Sequence, residues 1–440
     1  MINSNNYIEF AEKLYESCII TDAWIDGKER FLLDPVILSK SRYNKMKKAA
    51  EDIGFIYEEQ CKLIWKRPEM LDYFNLTNYQ KLLWLSSGGL WHGIARLDLF
   101  ILADGTIKMC EMNSDTPSGE AETVLLNQIF EDKYPEYINP NKEFAERFVN
   151  MIDLFGNQLE NIEAVIPVNT GIPEELSIRD SYIRRNDILE KTQLTIGIVY
   201  PTEMTEDLSM IKIYEKWLTD ANYKVIIGAP FNLMKKGNHL TLFDNEIDIL
   251  LRHYKTDWWT ERESPWSDFE YTDSYPLDLE INAVLNAYAN RTLNVINPFG
   301  SVLTQNKFSM SLFYDYFDLF SNKSQNIIRK YVPETRRLID IDFRLINKDE
   351  WVLKSEYGCE GDSVLIGLNL SQQLWDESLE KLVPEHWIAQ RFFNIKKYKK
   401  KYFPNYGVYL ITGIASGIFT RLAEISTDFT SITAPTFIKN

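Results

Sequence analysis

Between residues 194 and 228 the chain alternates strand, helix and strand: Leu194-Thr-Ile-Gly-Ile-Val-Tyr200, a helical stretch from Glu206 to Leu218, then Tyr223-Lys-Val-Ile-Ile-Gly228. Such alternation requires a crossover and therefore a parallel sheet. Ile247 to Arg252 and Leu293 to Ile296, just ahead of Asn297-Pro298, read as two further strands of the same lobe. We expect an α/β, Rossmann-like substrate lobe over residues 190–300, inserted between two parts of an α+β unit at 1–150 and 301–440. The polar, interrupted stretch inside 151–189 reads as a linker or mobile cover.

With 440 residues, 45% of them apolar, the chain has enough core for two or three lobes. Its 48 Lys and Arg stand against 64 Asp and Glu, a formal charge of -16 that disfavours nucleic acid and anionic lipid and favours a cationic or amine-bearing substrate. Cys18, Cys61, Cys110 and Cys359 form no CxxC pair, and the start lacks a basic-then-apolar leader. No apolar run approaches the roughly 18 residues of a membrane helix. The expectation is a cytoplasmic protein without a nucleic-acid or membrane partner, its oligomeric state left open, a homodimer included.

Helical spacing covers Tyr7 to Cys18 and about Ser41 to Trp65, both read as outer helices, the second ended near Pro68. Leu97 to Leu102 and Ile107 to Met112 flank Ala103-Asp104-Gly105-Thr106, a hairpin in which Asp-Gly accepts the positive φ of a tight turn. A helix is expected after Glu120. The Asn113-Ser-Asp-Thr-Pro-Ser-Gly119 stretch between them is then a strand-to-helix turn whose backbone amides point outward to an anion.

On this hairpin sit Asp98, Glu111 and Asn113. Residues two apart in a strand share a face, so Glu111 and Asn113 reach one ion while Met112 packs into the sheet. With Asp98 they form an oxygen half-cage of the kind magnesium completes with phosphate oxygens. Arg96 shares a face with Asp98 and would neutralise a transferring phosphoryl group or acyl phosphate. The blander alternative is a polar hairpin face with Arg96 paired to Glu111. Downstream, Trp351-Val-Leu-Lys354 runs into a turn bearing Gly358 and Gly361, where glycine amides fold over phosphates and a strand-end lysine neutralises them. GxxxxGK[ST] is absent, and an ordinary glycine hairpin fits the same residues. Lys307 adds a second cation near a helix start.

Strands are also read at Ser363 to Ile366, Trp387 to Phe393 and Gly407 to Gly413. The His386 to Phe393 run would line an adenine slot with Gln390 at the base edge, unless it is plain core sheet. Gly413 to Arg421 offers a glycine pair and an arginine for the phosphates. Trp258 and Trp259 shape a substrate cleft or a packed corner. The four histidines lack metal spacing and read as structural or surface. Together these residues point to an ATP-dependent ligase.

The same segments, Arg96-Leu-Asp98, Glu111-Met-Asn113-Ser-Asp115-Thr-Pro117, Ile247 to Trp259, Asn306-Lys307, Leu353-Lys354 with Gly358-Cys-Glu-Gly361, Gln390 and Gly413 to Arg421, resemble in order the synthetase part of the glutathionylspermidine synthase family. The resemblance implies an ATP-grasp ligase of circularly permuted order with a pre-ATP-grasp lobe, using ATP and Mg2+ to join an acid, a short peptide in that family's manner, to a polyamine or other amine. It assigns Asp98, Glu111 and Asn113 to magnesium, and Lys307, Lys354, Gly358, Gly361 and Gln390 to ATP. Arg96 and Arg421 become the acyl-phosphate stabilisers, and Thr116 and Ser118 contacts to the acid. An amidase half of the kind some members carry is not expected here, and the positions after Asp115 differ, so the reaction class transfers better than the substrates. A nucleotide-binding module without turnover and a small-molecule kinase are the competing expectations.

Overall fold

The computed structural model describes residues 4–160, 193–202, 207–261, 277–342, 347–358, 364–383, 386–424 and 430–439. A five-stranded antiparallel sheet has the order Ile432–Ala434, Ile414–Ala423, Phe403–Ile411, Ile94–Ile101, Ile107–Asn113. Its two hairpins come from opposite ends of the chain and join where Phe403–Ile411 pairs with Ile94–Ile101, setting Gly407 opposite Asp98 and Tyr409 opposite Arg96. All eight residues of Ile94–Ile101 are buried, which suits a strand paired on both edges. The first hairpin forms as expected, with Gly105 at φ +84°. The second closes through Thr412 and Gly413, both at positive φ, the pattern of a two-residue hairpin turn. The segment read as a glycine pair followed by an arginine is thus the strand Ile414–Ala423.

The helix Lys40–Lys66 starts at Ser39, whose side chain accepts from the Arg42 amide, and gives way to a 3-10 turn opened by Pro68. It is not an outer helix. Met46, Ala49, Ala50, Ile53 and Ile56 are fully buried and join Leu97, Leu99, Val408 and Leu410 of the sheet in the main core. Side chains at i, i+3, i+4 and i+7 form one stripe, and this stripe covers one face of the sheet.

A second antiparallel sheet has the order Thr335–Arg337, Trp387–Arg391, Trp351–Ser355, Val364–Ile366. The third is parallel throughout, ordered Asn294–Ile296, Ile249–Arg252, Thr195–Val199, Lys224–Gly228. Helix Leu208–Asp220 makes its first crossover and buries Met210, Ile211, Tyr214 and Leu218. The helix Phe144–Glu160 runs across residue 150, with Met151, Ile152 and Phe155 buried, so the start of the expected linker is packed helix. Residues 161–189 of that stretch lie outside the described residues. Among the described residues no helix is long and apolar enough to cross a membrane.

Candidate functional site

A cavity of about 810 Å³ lies between the two antiparallel sheets and extends to the carboxyl ends of the parallel strands. Among the described residues seven Lys or Arg line it against three Asp or Glu, in a chain whose formal charge is -16. The acidic excess is therefore kept away from this one concavity, which is suited to a polyanion. Elsewhere its wall is apolar, with Phe100, Val352, Val364, Ile366, Leu368, Phe392 and Phe393 forming a slot of the kind a flat heterocycle fills.

At the inner wall Asp98 is only 1% exposed and is held by three side chains. Arg96 Nε donates to Oδ1 at 2.8 Å; Arg421 donates to Oδ2 at 2.6 Å and Asn405 Nδ2 to the same oxygen at 3.1 Å. Sheet pairing produces this cluster: Arg96 and Asp98 share a face, while Asn405 and Arg421 face each other across the second hairpin. Burial opposes ionisation of Asp98, but the two guanidinium groups outweigh it and hold the carboxyl below its usual range. Two cations around one carboxylate leave a positive excess at the cavity. The partner of Arg96 is therefore Asp98, not Glu111. Arg96 also donates to the Ser118 carbonyl at 2.6 Å, which accepts from the Tyr409 hydroxyl as well. Gly407 gives Arg96 its room, since a Cβ there would lie 2.7 Å from Arg96 Cδ.

The strand Ile107–Asn113 carries a bulge: Asp98 pairs with Glu111 but Leu99 with Met109. One extra residue re-aims the following side chains, so Cys110 and Glu111 both line the cavity together with Asn113, while Met112 packs inward. Lys307 Nζ lies 3.4 Å from Glu111 and donates to the Gly358 carbonyl at 2.5 Å. Lys354, 5% exposed, donates to Gln390 Oε1 at 2.9 Å and lies 3.1 Å from Cys110 Sγ. Burial lowers its proton affinity, yet Cys110 and Glu111 more than compensate and keep it above the ordinary lysine range. Gln390 also lies 3.3 Å from the Thr335 hydroxyl, so its amide is engaged inside the sheet. Gly361 lies outside the described residues.

Among the described residues no three His, Cys, Asp or Glu side chains gather to hold a metal. Glu111 and Asn113 line the cavity, while Asp98, opposite Glu111 in the sheet, lies behind them bonded to Arg96, Arg421 and Asn405, so each carboxylate already faces a cation. The Asn113 side-chain nitrogen is buried and has no hydrogen-bond partner among the described residues, which leaves that amide free to turn its oxygen outward. This set fits a magnesium ion arriving with phosphate oxygens better than a free ion, because phosphates would draw Lys307 away from Glu111 and complete the octahedron.

The turn after Asn113 departs from expectation. The amides of Ser114 and Asp115 do not point at a ligand but donate to Gln305 Oε1 at 2.8 and 3.2 Å. Asp115 itself ties the hairpin to the parallel lobe. Its carboxylate accepts from Arg252, Ser301, the Thr256 amide and the Thr256 hydroxyl at 2.5 to 2.7 Å. Thr116 and Ser118, just beyond, line the cavity.

Several wall residues had no local sequence signal. Asn405 lies in a strand that becomes functional only through pairing with distant Asp98, and Cys110 reaches the cavity only because of the bulge. His253 and Asp207, 3.3 Å apart, line its far end. His253 is thus a cavity residue, although His92 is in the core, and His386 pairs with Glu356 at 2.6 Å.

The two antiparallel sheets with this cavity between them, and a parallel lobe at its end, define an ATP-grasp-type synthetase fold of mixed α/β class. The chain belongs to the glutathionylspermidine synthase preATP-grasp family, whose model matches residues 38–439. Among solved structures it is similar to a glutathione synthetase-like effector from Globodera pallida in apo form, at a TM-score of 0.58 and 11% identity, covering 99% of this chain and 96% of that one. A putative gamma-glutamylcysteine synthetase from Methylobacillus flagellatus matches at a TM-score of 0.42 and 11% identity, over 92% of this chain and 88% of that one. No curated protein sequence matches. Family and fold place the protein with the synthetase-like ligases, a class that uses ATP on small-molecule substrates.

Proposed function

We propose that the protein is an ATP-dependent carboxylate-amine ligase that forms an amide through an acyl phosphate, releasing ADP and phosphate. The acid is a short peptide and the amine a polyamine or another amino compound. The observation that carries this reading is the cation-lined cavity with an apolar slot at one end and a substrate crevice at the other.

The adenine would occupy the apolar slot, with the β and γ phosphates between Lys307, Lys354 and the Gly358 turn. Asp98, Glu111 and Asn113 are the groups to hold magnesium, which would neutralise phosphate charge during transfer. The acid carboxylate, held at Thr116 and Ser118, attacks the γ phosphorus. Arg96 and Arg421 face the charge that develops, each already oriented by Asp98, so little reorganisation is needed during the reaction. An amine then displaces phosphate. Splitting the condensation this way replaces a poor leaving group with a good one.

The test is ADP release from MgATP scanned over glutathione and other short peptides, each with and without polyamines, with Glu111→Ala as control. ADP formation that requires both an acid and an amine, and falls about 10²-fold or more in the variant, supports the ligase. Release of AMP contradicts the acyl phosphate, and a stable phosphorylated product made without amine would identify a kinase.

A further inference from the structure

The parallel sheet has a topological switch point. Thr195–Val199 is its first strand in the chain; the second, Lys224–Gly228, lies on one side, and the third, Ile249–Arg252, on the other. The carboxyl ends of the first and third strands at such a point are the usual ligand position in open parallel sheets. Pro201 and Asp207 follow the first strand, His253 follows the third, and all three line the end of the cavity that also bears Thr116 and Ser118.

His253 is held from two directions. Its backbone amide donates to the Val199 carbonyl at 2.7 Å, fixing the strand end. Its Nε2 lies 3.3 Å from Asp207 Oδ1, which orients the ring. The side chain is 9% exposed. Charged neighbours among the described residues include Asp207 at the start of the crossover helix, Lys255 two residues along, and Arg252, whose guanidinium is turned to Asp115. Burial disfavours the Asp207 carboxylate, but its hydrogen bond to His253 and the charge of Lys255 oppose that, and its carboxyl lies below the ordinary range. An imidazole oriented by an ionised carboxylate and set at a substrate crevice has the components of a general base.

We infer that the switch-point crevice receives the incoming primary amine and that His253, oriented by Asp207, is its general base. This rests on the ligase reading above. An alkyl amine is protonated at neutral pH and cannot attack. The ammonium gives one proton to His253 Nδ1, and the freed lone pair attacks the acyl carbonyl carbon. The C–N bond forms as the C–O bond to phosphate breaks, phosphate leaves with that electron pair, and the second nitrogen proton passes to the departing phosphate. Asp207 stabilises the imidazolium. Through its backbone bond to Val199, His253 also keeps the crevice aligned with the sheet.

The test compares two nucleophiles on the same acyl phosphate. Wild type, His253→Gln and Asp207→Asn receive MgATP and the peptide acids, with either hydroxylamine, which is unprotonated at neutral pH, or polyamines and ammonium. Hydroxamate and amide are quantified from pH 7 to 9. In His253→Gln amide formation should fall about 10²-fold further than hydroxamate formation at pH 7, and the gap should narrow as pH rises and the free amine accumulates. Asp207→Asn should shift the ratio the same way by a smaller factor. Equal losses with both nucleophiles would reduce His253 to a structural role and overturn the inference. So would an unchanged ratio, or a wild type that makes hydroxamate yet accepts no amine at any pH. Absence of hydroxamate from the wild type overturns the ligase reading, and the inference with it.

Discussion

Replacing Asp115 with Asn tests how the first hairpin is anchored to the parallel lobe. The carboxylate is 4% exposed and faces Arg252, whose side chain is completely buried. Arg252 keeps its bonds to the carbonyls of Asn297 and Tyr254, at 2.8 and 2.9 Å, whichever residue stands at 115. What Asp115→Asn removes is the only negative charge bonded to that guanidinium in the described residues. Breaking one side of a buried pair costs about 3–5 kcal/mol because the remaining charge is left uncompensated. The midpoint of urea unfolding should fall accordingly with its slope unchanged. Converting both partners, with Asp115→Asn and Arg252→Met together, should cost less than the sum of the single changes. The dependence on pH has a definite sign. Burial raises the Asp115 proton affinity, but Arg252 and Ser301 overcome this and hold the carboxyl below the ordinary value. Its contribution is thus complete above the unfolded value of about 3.9 and is lost as pH falls through the folded value. The gap between wild type and variant should therefore close in acid. A loss below about 1 kcal/mol at pH 7, as for an exposed pair, would refute the anchoring role.

Other outcomes follow from the same geometry. Glu120 is fully buried beside Tyr214, Tyr409 and Arg96, and burial pushes its carboxyl up to about 8. The folded state then holds a proton that the unfolded chain releases near 4.3, so stability should fall as pH rises from about 4.3 to 8. Glu120→Gln should flatten that slope and stabilise the protein at pH 8.5 by about 2 kcal/mol, measured by denaturant titration, after allowing about 1–3 kcal/mol for a buried amide. Lys307→Met should weaken ATP binding about 10–100-fold, the loss of one charge-assisted contact, while strengthening Mn2+ binding without nucleotide because Glu111 loses its counter-charge; calorimetry reads both. Gly407→Ala places a methyl against Arg96, which is held by Asp98 and Ser118 and must shift, so turnover in the ADP assay should drop about 10²-fold with the fold retained by circular dichroism.

Local periodicity carried much of the fold. The parallel strands and their crossover helix were legible because continuous apolar runs and a helical stripe record burial directly in the sequence. The first hairpin was legible because Asp104-Gly105 has the turn chemistry that its φ demands. What local pattern did not contain was pairing between distant segments. Ile414–Ala423 shows Gly417 at φ +140° against Phe144 and Asn141, a close approach within a strand rather than a phosphate contact. The helix Lys40–Lys66 has a stripe that fits a surface helix equally well, and only its contact with a sheet built from both chain ends makes it core. Period-two spacing found Arg96 with Asp98 and Glu111 with Asn113. It did not find Cys110, exposed to the cavity by a bulge, nor Asn405, which meets Asp98 across 307 residues. The turn amides of Ser114 and Asp115 looked available because nothing near them in sequence foretold Gln305.

The most direct measurement of the central claim follows oxygen. Peptide acids labelled with 18O in the carboxylate, glutathione among them, are incubated with MgATP, the protein and polyamines, and the products are read by 31P NMR. Transfer of one 18O to inorganic phosphate, together with ADP, is the predicted result, since the carboxylate oxygen becomes the bridge of the acyl phosphate and leaves with it. Label in AMP, or ADP formed in step with amide while phosphate carries no label, would contradict the account.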